Sequence, residues 1–391
     1  MPEQRYDLFI FAGEKSGDLH GSLLLQKLQE QYPAIRVTGV GGPAMRETGM
    51  HCPLAMENFQ VMGFVDVFLA LPRLMRQFYF VKQYILRTQP AVVLLIDYAE
   101  FNLRLAAHLR KAGFKGRICH YICPSVWAWG KKRIPRMAAT LDSLFSILPF
   151  EKSFFSETTL PVHYVGHPLI SALHNHPRQP LQNFRKGKIL ALFPGSRRHE
   201  LEKNLHLQLM VAKKLREEEP TLQIALSIAN AAFLPFIRES IDKAGFQEGD
   251  VELIPQERSY DLMQRAHFAI AKSGTVTLEL ALHGVPTVVT YGISPLDLFI
   301  ARRVLRIDLP FYCLVNILAN EEVFRELFGP HLTFDALYQA AKALLDNPLL
   351  HTDCREKCAK VRVLLGEENA SCEIVRLLVP YFNTLRTAHE V

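Results

Sequence analysis

The 391-residue chain has few cysteines, only two tryptophans and no long uncharged apolar run. Seven cysteines are too sparse for a disulfide framework, and an odd number leaves at least one unpaired within the chain. A reducing compartment is the expected setting. No apolar stretch of about 18 uncharged residues occurs, which argues against a membrane-spanning helix. The opening MPEQRYDLFIFAG has no basic region ahead of its apolar run and so does not read as a secretory signal. Neither a G-x-G-x-x-G turn nor a Walker lysine is present, so nothing specific points to a dinucleotide or ATP. Forty-five basic residues against 39 acidic ones give +6. That mildly favours anionic partners, but basic stretches such as GKKRIPR are too sparse for a nucleic-acid surface.

What is there is globular. Hydrophobic residues make up 49% and charged residues 21%, a composition able to bury a core. In the first half, short apolar runs alternate with helical patterns. Strands are expected at 6–12, 35–40, 91–96, 117–122, 144–148 and 163–165, with AVVLLI at 91–96 the cleanest. A polar, proline-containing stretch at 171–187 reads as a linker. Strand patterns restart at 188–193, 222–228, 251–254, 268–271 and 287–290, and the remainder looks helical. Continuous apolar strands separated by helices indicate parallel sheets covered on both faces. The expected fold class is α/β, two Rossmann-like domains at 1–170 and 188–345 followed by a helical tail at 346–391. Their strand ends should face an interdomain crevice. One large sheet with insertions is the competing architecture.

Four loops at expected strand ends carry candidate chemistry. The first, GEKSGDLHG at 13–21, has three glycines that permit close backbone approach to a ligand, although Ser16 or Asp18 could simply cap the next helix. The second is Asp97 in LLIDYAEFN, a carboxylate directly after a buried strand that could take a proton from a hydroxyl nucleophile. Glu100 and Asn102 lie close by, and an N-cap role for Asp97 fits the same pattern. The third, Pro194-Gly195-Ser196-Arg197-Arg198, offers a helix N-terminus and guanidinium groups to a diphosphate. The fourth, KSGTVTLE, places Ser273, Gly274 and Thr275 at a helix start, with Glu279 one turn along to accept ribose hydroxyls or to be a plain surface charge. Cys119, His120 and Cys123 have no second ligand pair, and His163, His167, His174 and His176 lack metalloprotease spacing; no metal is expected. FVDVFLALPRLMRQFYFVKQY at 64–84 mixes Phe68, Leu69, Leu71, Leu74, Met75 and Phe78 with Arg73 and Arg76. It reads equally as an amphipathic helix on anionic lipid or as a core helix with a basic edge.

Taken together, GEKSGDLHG, VMGFVDV, LLIDYAEFN, HYICPSVWAWGKKR, ILPFEKSFF, YVGHPL, LFPGSRRHE and AKSGTVTLELAL, in this order, resemble the lipid-A-disaccharide synthase family of bacterial inverting glycosyltransferases. The resemblance covers nearly the whole chain. It implies the GT-B fold and UDP-2,3-diacylglucosamine as donor. The implied acceptor is 2,3-diacylglucosamine 1-phosphate (lipid X), and no cofactor is implied. It also implies a protein on the cytoplasmic face of the inner membrane, held peripherally on its anionic surface, and homodimers with exchanged C-terminal elements. In family terms Asp97 is the general base and Arg197 meets the departing diphosphate. Ser196, Ser273, Gly274, Thr275, Glu279 and Asn316 hold the UDP-sugar, and Glu14, Ser16 and Asp18 support the acceptor or catalysis. The membrane or acyl contacts would come from the 68–78 stretch. The sequence departs from the family pattern at Lys15, Ala99, Glu100, Gly292, Val315 and Asn320. Competing functions are a UDP-sugar 2-epimerase of the same fold, which needs no acceptor, and a lipid- or nucleotide-binding regulator without turnover.

Overall fold

A computed structural model describes residues 6–59, 64–177, 179–181, 184–294, 298 and 309–387. Side chains at 64–70, 129, 175 and 383–387 lie outside that description. The chain divides into two compact units, Met1–Ser171 with Glu367–Val391, and Ala172–Gly366.

The first unit holds a seven-stranded parallel sheet in the order β3-β2-β1-β4-β5-β6-β7. Its strands are β1 (Leu8–Ala12), β2 (Val37–Gly41), β3 (His51–Ala55), β4 (Val92–Ile96), β5 (Arg117–Tyr121), β6 (Ser143–Ser146) and β7 (Val162–Tyr164). β4 explains why an unbroken apolar run folds as a strand here. Val93 and Leu95 enter the core on one face, while Val92, Leu94 and Ile96 enter the core on the other. A strand buried on both faces has no polar side to alternate with.

The second unit repeats the arrangement with six parallel strands in the order β10-β9-β8-β11-β12-β13. They are β8 (Ile189–Phe193), β9 (Gln223–Ile228), β10 (Val251–Pro255), β11 (Phe268–Lys272), β12 (Thr287–Tyr291) and β13 (Arg325–Phe328). Leu190 and Leu192 face one core, and Ile189, Ala191 and Phe193 the other.

Sequence pattern located every central strand to within two residues at either end and missed β3 and β13. Both are sheet edges. HCPLA and RELF have only one residue between them that is fully buried, so neither carries the apolar run that marks the interior strands. The unit division also runs through the tail expected at 346–391. The Pro348–Leu365 helix packs within the second unit, whereas the Ala370–Thr387 helix lies in the first. There Ile374, Val375 and Leu378 share a core with Leu24, Leu25 and Leu28 of the Lys15–Gln31 helix.

In each sheet the chain reverses its direction of strand addition at one place, between β1 and β4 and between β8 and β11. The helices after the two strands then depart to opposite faces and leave a gap at the strand ends, where ligands bind in open α/β sheets. All four candidate loops flank these two gaps. The 13–21 loop follows β1 and Asp97 follows β4; the 194–198 loop follows β8 and Ser273 follows β11.

Candidate active site

At the first gap, the backbone bends sharply straight after β4. Asp97 and Tyr98 are consecutive left-handed residues, with φ of 49° and 45°, a conformation that costs non-glycine residues energy and persists only where neighbours enforce it. Three contacts enforce it. The Asp97 N–H donates to Tyr121 O at 2.9 Å. Asn102, fully buried, donates through Nδ2 to the carbonyls of Asp97 at 2.6 Å and Ile96 at 3.2 Å. The Tyr98 hydroxyl donates to Phe59 O at 3.0 Å. The Ala99–Lys111 helix is capped by Tyr98, not by Asp97, so the N-cap alternative for Asp97 does not hold. Burial raises the Asp97 carboxyl above the usual carboxylate range, partly offset by the Tyr98 N–H.

Glu100, which departs from the family pattern, faces outward onto Arg104 at 3.1 Å, Arg133 at 3.4 Å and Arg136 at 3.7 Å. Burial would raise its carboxyl, but the arginines outweigh burial and hold it low, so it is a charge-pair residue unsuited to taking a proton.

The 13–21 loop lies against the same turn. A Cβ on Gly13 would meet the Tyr98 ring at 3.0 Å, which is why glycine stands there. Glu14 is the exposed N-cap residue of the Lys15–Gln31 helix, and Ser16 is exposed in its first turn. Asp18 is different. It is buried, and its two oxygens accept the N–H groups of Gly42 at 2.7 Å, Ala44 at 3.0 Å and Met45 at 3.1 Å. Its place is inside the fold, holding the 42–45 turn, and not toward an acceptor.

At the second gap lies a cavity of about 750 Å³. Its walls include Gly195, Ser196, Arg197, Gly274, Thr275 and Glu279, so five of the seven expected UDP-sugar residues come together there: Ser196, Arg197, Gly274, Thr275 and Glu279. The Arg198–Glu218 and Thr275–Leu282 helices both begin at this cavity, and neither N-cap residue supplies a side-chain cap. Both helix N-termini thus lie at its wall, an arrangement suited to phosphate. Gly195 has φ of 127°, and a Cβ there would lie 2.6 Å from Glu200 Cβ, so glycine is required for the loop to wrap that side chain. Burial pushes the Glu279 carboxyl up to about 7.

Two expected donor residues stand elsewhere. Ser273 is buried, with its hydroxyl donating to Tyr312 O at 3.3 Å. Asn316 is fully buried and spends its amide internally. Nδ2 donates to Phe324 O and to Glu326 Oε1, both at 2.7 Å, and Oδ1 accepts the N–H groups of Val323 and Phe324 at 2.9 Å. It shapes the 312–326 segment without reaching the cavity wall. Sequence reasoning missed Tyr260, His176 and Lys272, which also line the cavity. Lys272 sits inside the KSGTVTLE motif, His176 reads in sequence only as a candidate metal ligand, and Tyr260 has no sequence signal.

Of the family departures, two have a structural reason. Asn320 is a left-handed C-cap with φ of 54° after the Leu314–Ala319 helix, a position where asparagine is the usual substitute for glycine. A Cβ on Gly292 would meet Lys203 Cβ at 2.9 Å, so close packing limits it to glycine.

The Phe64–Thr88 helix settles its two faces differently. Leu74 and Phe78 pack inward against the first core, and Phe78 stacks edge-on at 5.3 Å against Phe101, just beyond the Asp97 turn. Leu71, Met75 and Tyr79, spaced one helical turn apart, are exposed, as are Arg73 and Arg76. The side chains of Phe68 and Leu69 fall outside the described residues. Among the described residues no helix is long and apolar enough to cross a membrane.

Two parallel, helix-flanked sheets in one chain, with a cavity at the strand ends of the second, define a protein of the GT-B fold class. Solved structures agree at the level of fold. A putative UDP-N-acetylglucosamine 2-epimerase from Listeria monocytogenes aligns with TM-score 0.65 at 14% identity, covering 97% of this chain and 98% of that one. Acinetobacter baumannii MurG aligns with TM-score 0.58 at 14% identity, covering 96% and 100%. Within that class, the chain belongs to the lipid-A-disaccharide synthetase family, whose sequence pattern matches residues 8–377. The lipid-A-disaccharide synthase of Chlamydia pneumoniae is 37% identical over 96% of this chain and 62% of its own length. That of Geobacter sulfurreducens is 34% identical over 95% of this chain and 96% of its own. The chain thus spans about three fifths of the chlamydial relative.

Proposed function

We propose that the chain transfers 2,3-diacylglucosamine from UDP-2,3-diacylglucosamine to the 6-hydroxyl of 2,3-diacylglucosamine 1-phosphate, giving the β-1',6 disaccharide 1-phosphate and UDP. The observation that carries this reading is the placement of the family motifs. They supply a partly buried acid of raised proton affinity at one switch point and a phosphate-receptive cavity at the other. In this reading Asp97 takes the hydroxyl proton as the acceptor oxygen bonds to the anomeric carbon. The bond from that carbon to the UDP oxygen breaks, and its electron pair leaves on the diphosphate. A single displacement inverts the centre without a covalent enzyme intermediate. Arg197 and the two helix N-termini stabilise the charge that develops on the leaving group, while Glu279 accepts the ribose hydroxyls.

Both substrates carry acyl chains, so the exposed Leu71, Met75 and Tyr79 are the lipid contact in this reading, with Arg73 and Arg76 toward lipid phosphates. The chain then works peripherally on the cytoplasmic face of an anionic inner membrane. A homodimer exchanging C-terminal elements belongs to the same reading, and light scattering of the purified protein tests it.

The deciding experiment incubates purified protein with both substrates in detergent and determines product mass. A disaccharide 1-phosphate with stoichiometric UDP is the expected result. A donor converted equally well without acceptor would sink the transferase reading in favour of an epimerase-like activity.

A further inference from the structure

Lys272 ends β11, three residues before the helix start that lines the cavity, and forms part of the cavity wall. Its Nζ lies 2.8 Å from Glu200 Oε1, and it sits 5.3 Å over the Tyr291 ring. Glu200 is the hub of this corner. Its Oε2 accepts the Ser196 N–H at 2.9 Å, and its Oε1 also lies 3.7 Å from Arg197. One carboxylate therefore faces two cations and one of the loop N–H groups that a phosphate would use. The two charges are not equally enclosed: the Glu200 side chain is 8% exposed, that of Lys272 19%. An ammonium has three N–H donors in no fixed fork, and turning toward a second anion need not break the first contact.

We propose that Lys272 is a second diphosphate cation of the donor cavity, held against Glu200 in this structure and shared with the phosphate groups of a bound nucleoside diphosphate. The inference rests on the donor-site reading of that cavity and assigns it a residue that reading does not contain. The charges support it. Around Glu200, Arg197 and Lys272 leave a net +1, whereas Arg197 alone leaves none; Glu257 and Glu279 also line the cavity, so a diphosphate, which brings at least two negative charges, needs both cations. Lysine serves phosphate as a point charge where arginine serves as a fork.

The competing role for Lys272 is purely structural, as the counterion that keeps Glu200 in place. Loss of Lys272 alone would weaken nucleotide binding under either role, because it exposes the anionic Glu200 to the ligand. The decisive comparison is made in a Glu200→Gln background, where the amide oxygen can still accept the Ser196 N–H but carries no charge. Titration calorimetry with UDP, uridine and inorganic pyrophosphate is run on Glu200→Gln and on Glu200→Gln/Lys272→Met. The expected result is UDP and pyrophosphate binding at least about fivefold weaker in the double variant, with uridine unchanged. That difference should shrink as salt rises, and Lys272→Arg in the same background should keep most of the affinity. UDP affinity within about twofold between the two proteins would overturn the proposal. If Lys272→Met does not yield folded protein, Lys272→Gln replaces it in the same comparison. Lys272-dependent pyrophosphate binding by a protein that ignores UDP would retain the inference and reject the nucleotide reading of the cavity; wild-type protein that binds neither would reject both.

Discussion

Asp97 and Glu200 each lie beyond a strand that borders the switch point of its sheet, Asp97 after β4 in the first unit and Glu200 after β8, the counterpart of β1, in the second. Their electrostatics are opposite. Burial dominates at Asp97, and its proton affinity rises. At Glu200 burial is again the largest single influence, but Lys272, the Ser196 N–H and Arg197 together outweigh it and hold the carboxyl low. Topology therefore puts an acid beside the switch point of each sheet, and the neighbours decide whether that acid can take a proton or only hold charges in place.

The strongest way to break this comparison is at Asp97. Asp97→Asn should lower kcat by roughly 10²–10⁴-fold, the range of general-base catalysis, with UDP affinity held within about threefold. Near-normal turnover would remove the base from Asp97. The same assignment fixes a pH dependence. The base acts ionised and its pKa is raised, so turnover should fall as pH drops through that raised value, an acid limb above the ordinary aspartate range that Asp97→Asn abolishes.

A smaller effect is expected on the other side of the comparison. Arg197→Ala should weaken UDP binding about 10–100-fold, the scale of a lost charge-assisted hydrogen bond. Unchanged affinity by calorimetry would remove Arg197 from the diphosphate. Away from both carboxylates, combining Leu71→Ser, Met75→Ser and Tyr79→Ser should reduce sedimentation with anionic vesicles by about tenfold, leaving UDP binding as it was. Retained sedimentation would place lipid contact elsewhere.

The last effect is on stability. Glu279 has its carboxyl raised from 4.5 to about 7 by burial. The folded state therefore gains from its protonation. That contribution is fully present below about 4.5 and is lost as pH rises through about 7, a difference of about 3 kcal/mol. Glu279→Gln, which carries no charge at any pH, should raise Tm at pH 8 relative to wild type, with most of the gain gone at pH 5. Equal gains at both values would show that this carboxyl is not buried as described.

The particular residues show what was legible beforehand. VVLLI could be read as β4 because a strand covered on both faces must be apolar throughout. HCPLA and RELF could not be, because these two edge strands bury a single residue between them and leave no such run. Ser196, Arg197, Gly274, Thr275 and Glu279 could be read as one phosphate site, since glycines and small residues at strand-to-helix turns have a local reason to be there. Asp18 and Asn316 looked equally functional in sequence, yet each is consumed by backbone N–H groups from segments that only folding brings beside it. Lys272 carried no mark of its own until β8 and β11 became neighbours and set it on Glu200.

By itself, the sequence determined the two parallel sheets, the order of their interior strands along the chain and the loops that bear the chemistry. Apolar periodicity and turn chemistry are local properties, written in consecutive residues. Only the tertiary structure decided which loops stand together at each switch point, which polar side chains are spent on the fold, and what each acid's proton affinity becomes. Those depend on strand order, burial and the charges that distant segments bring within a few ångströms, and no stretch of consecutive residues encodes them.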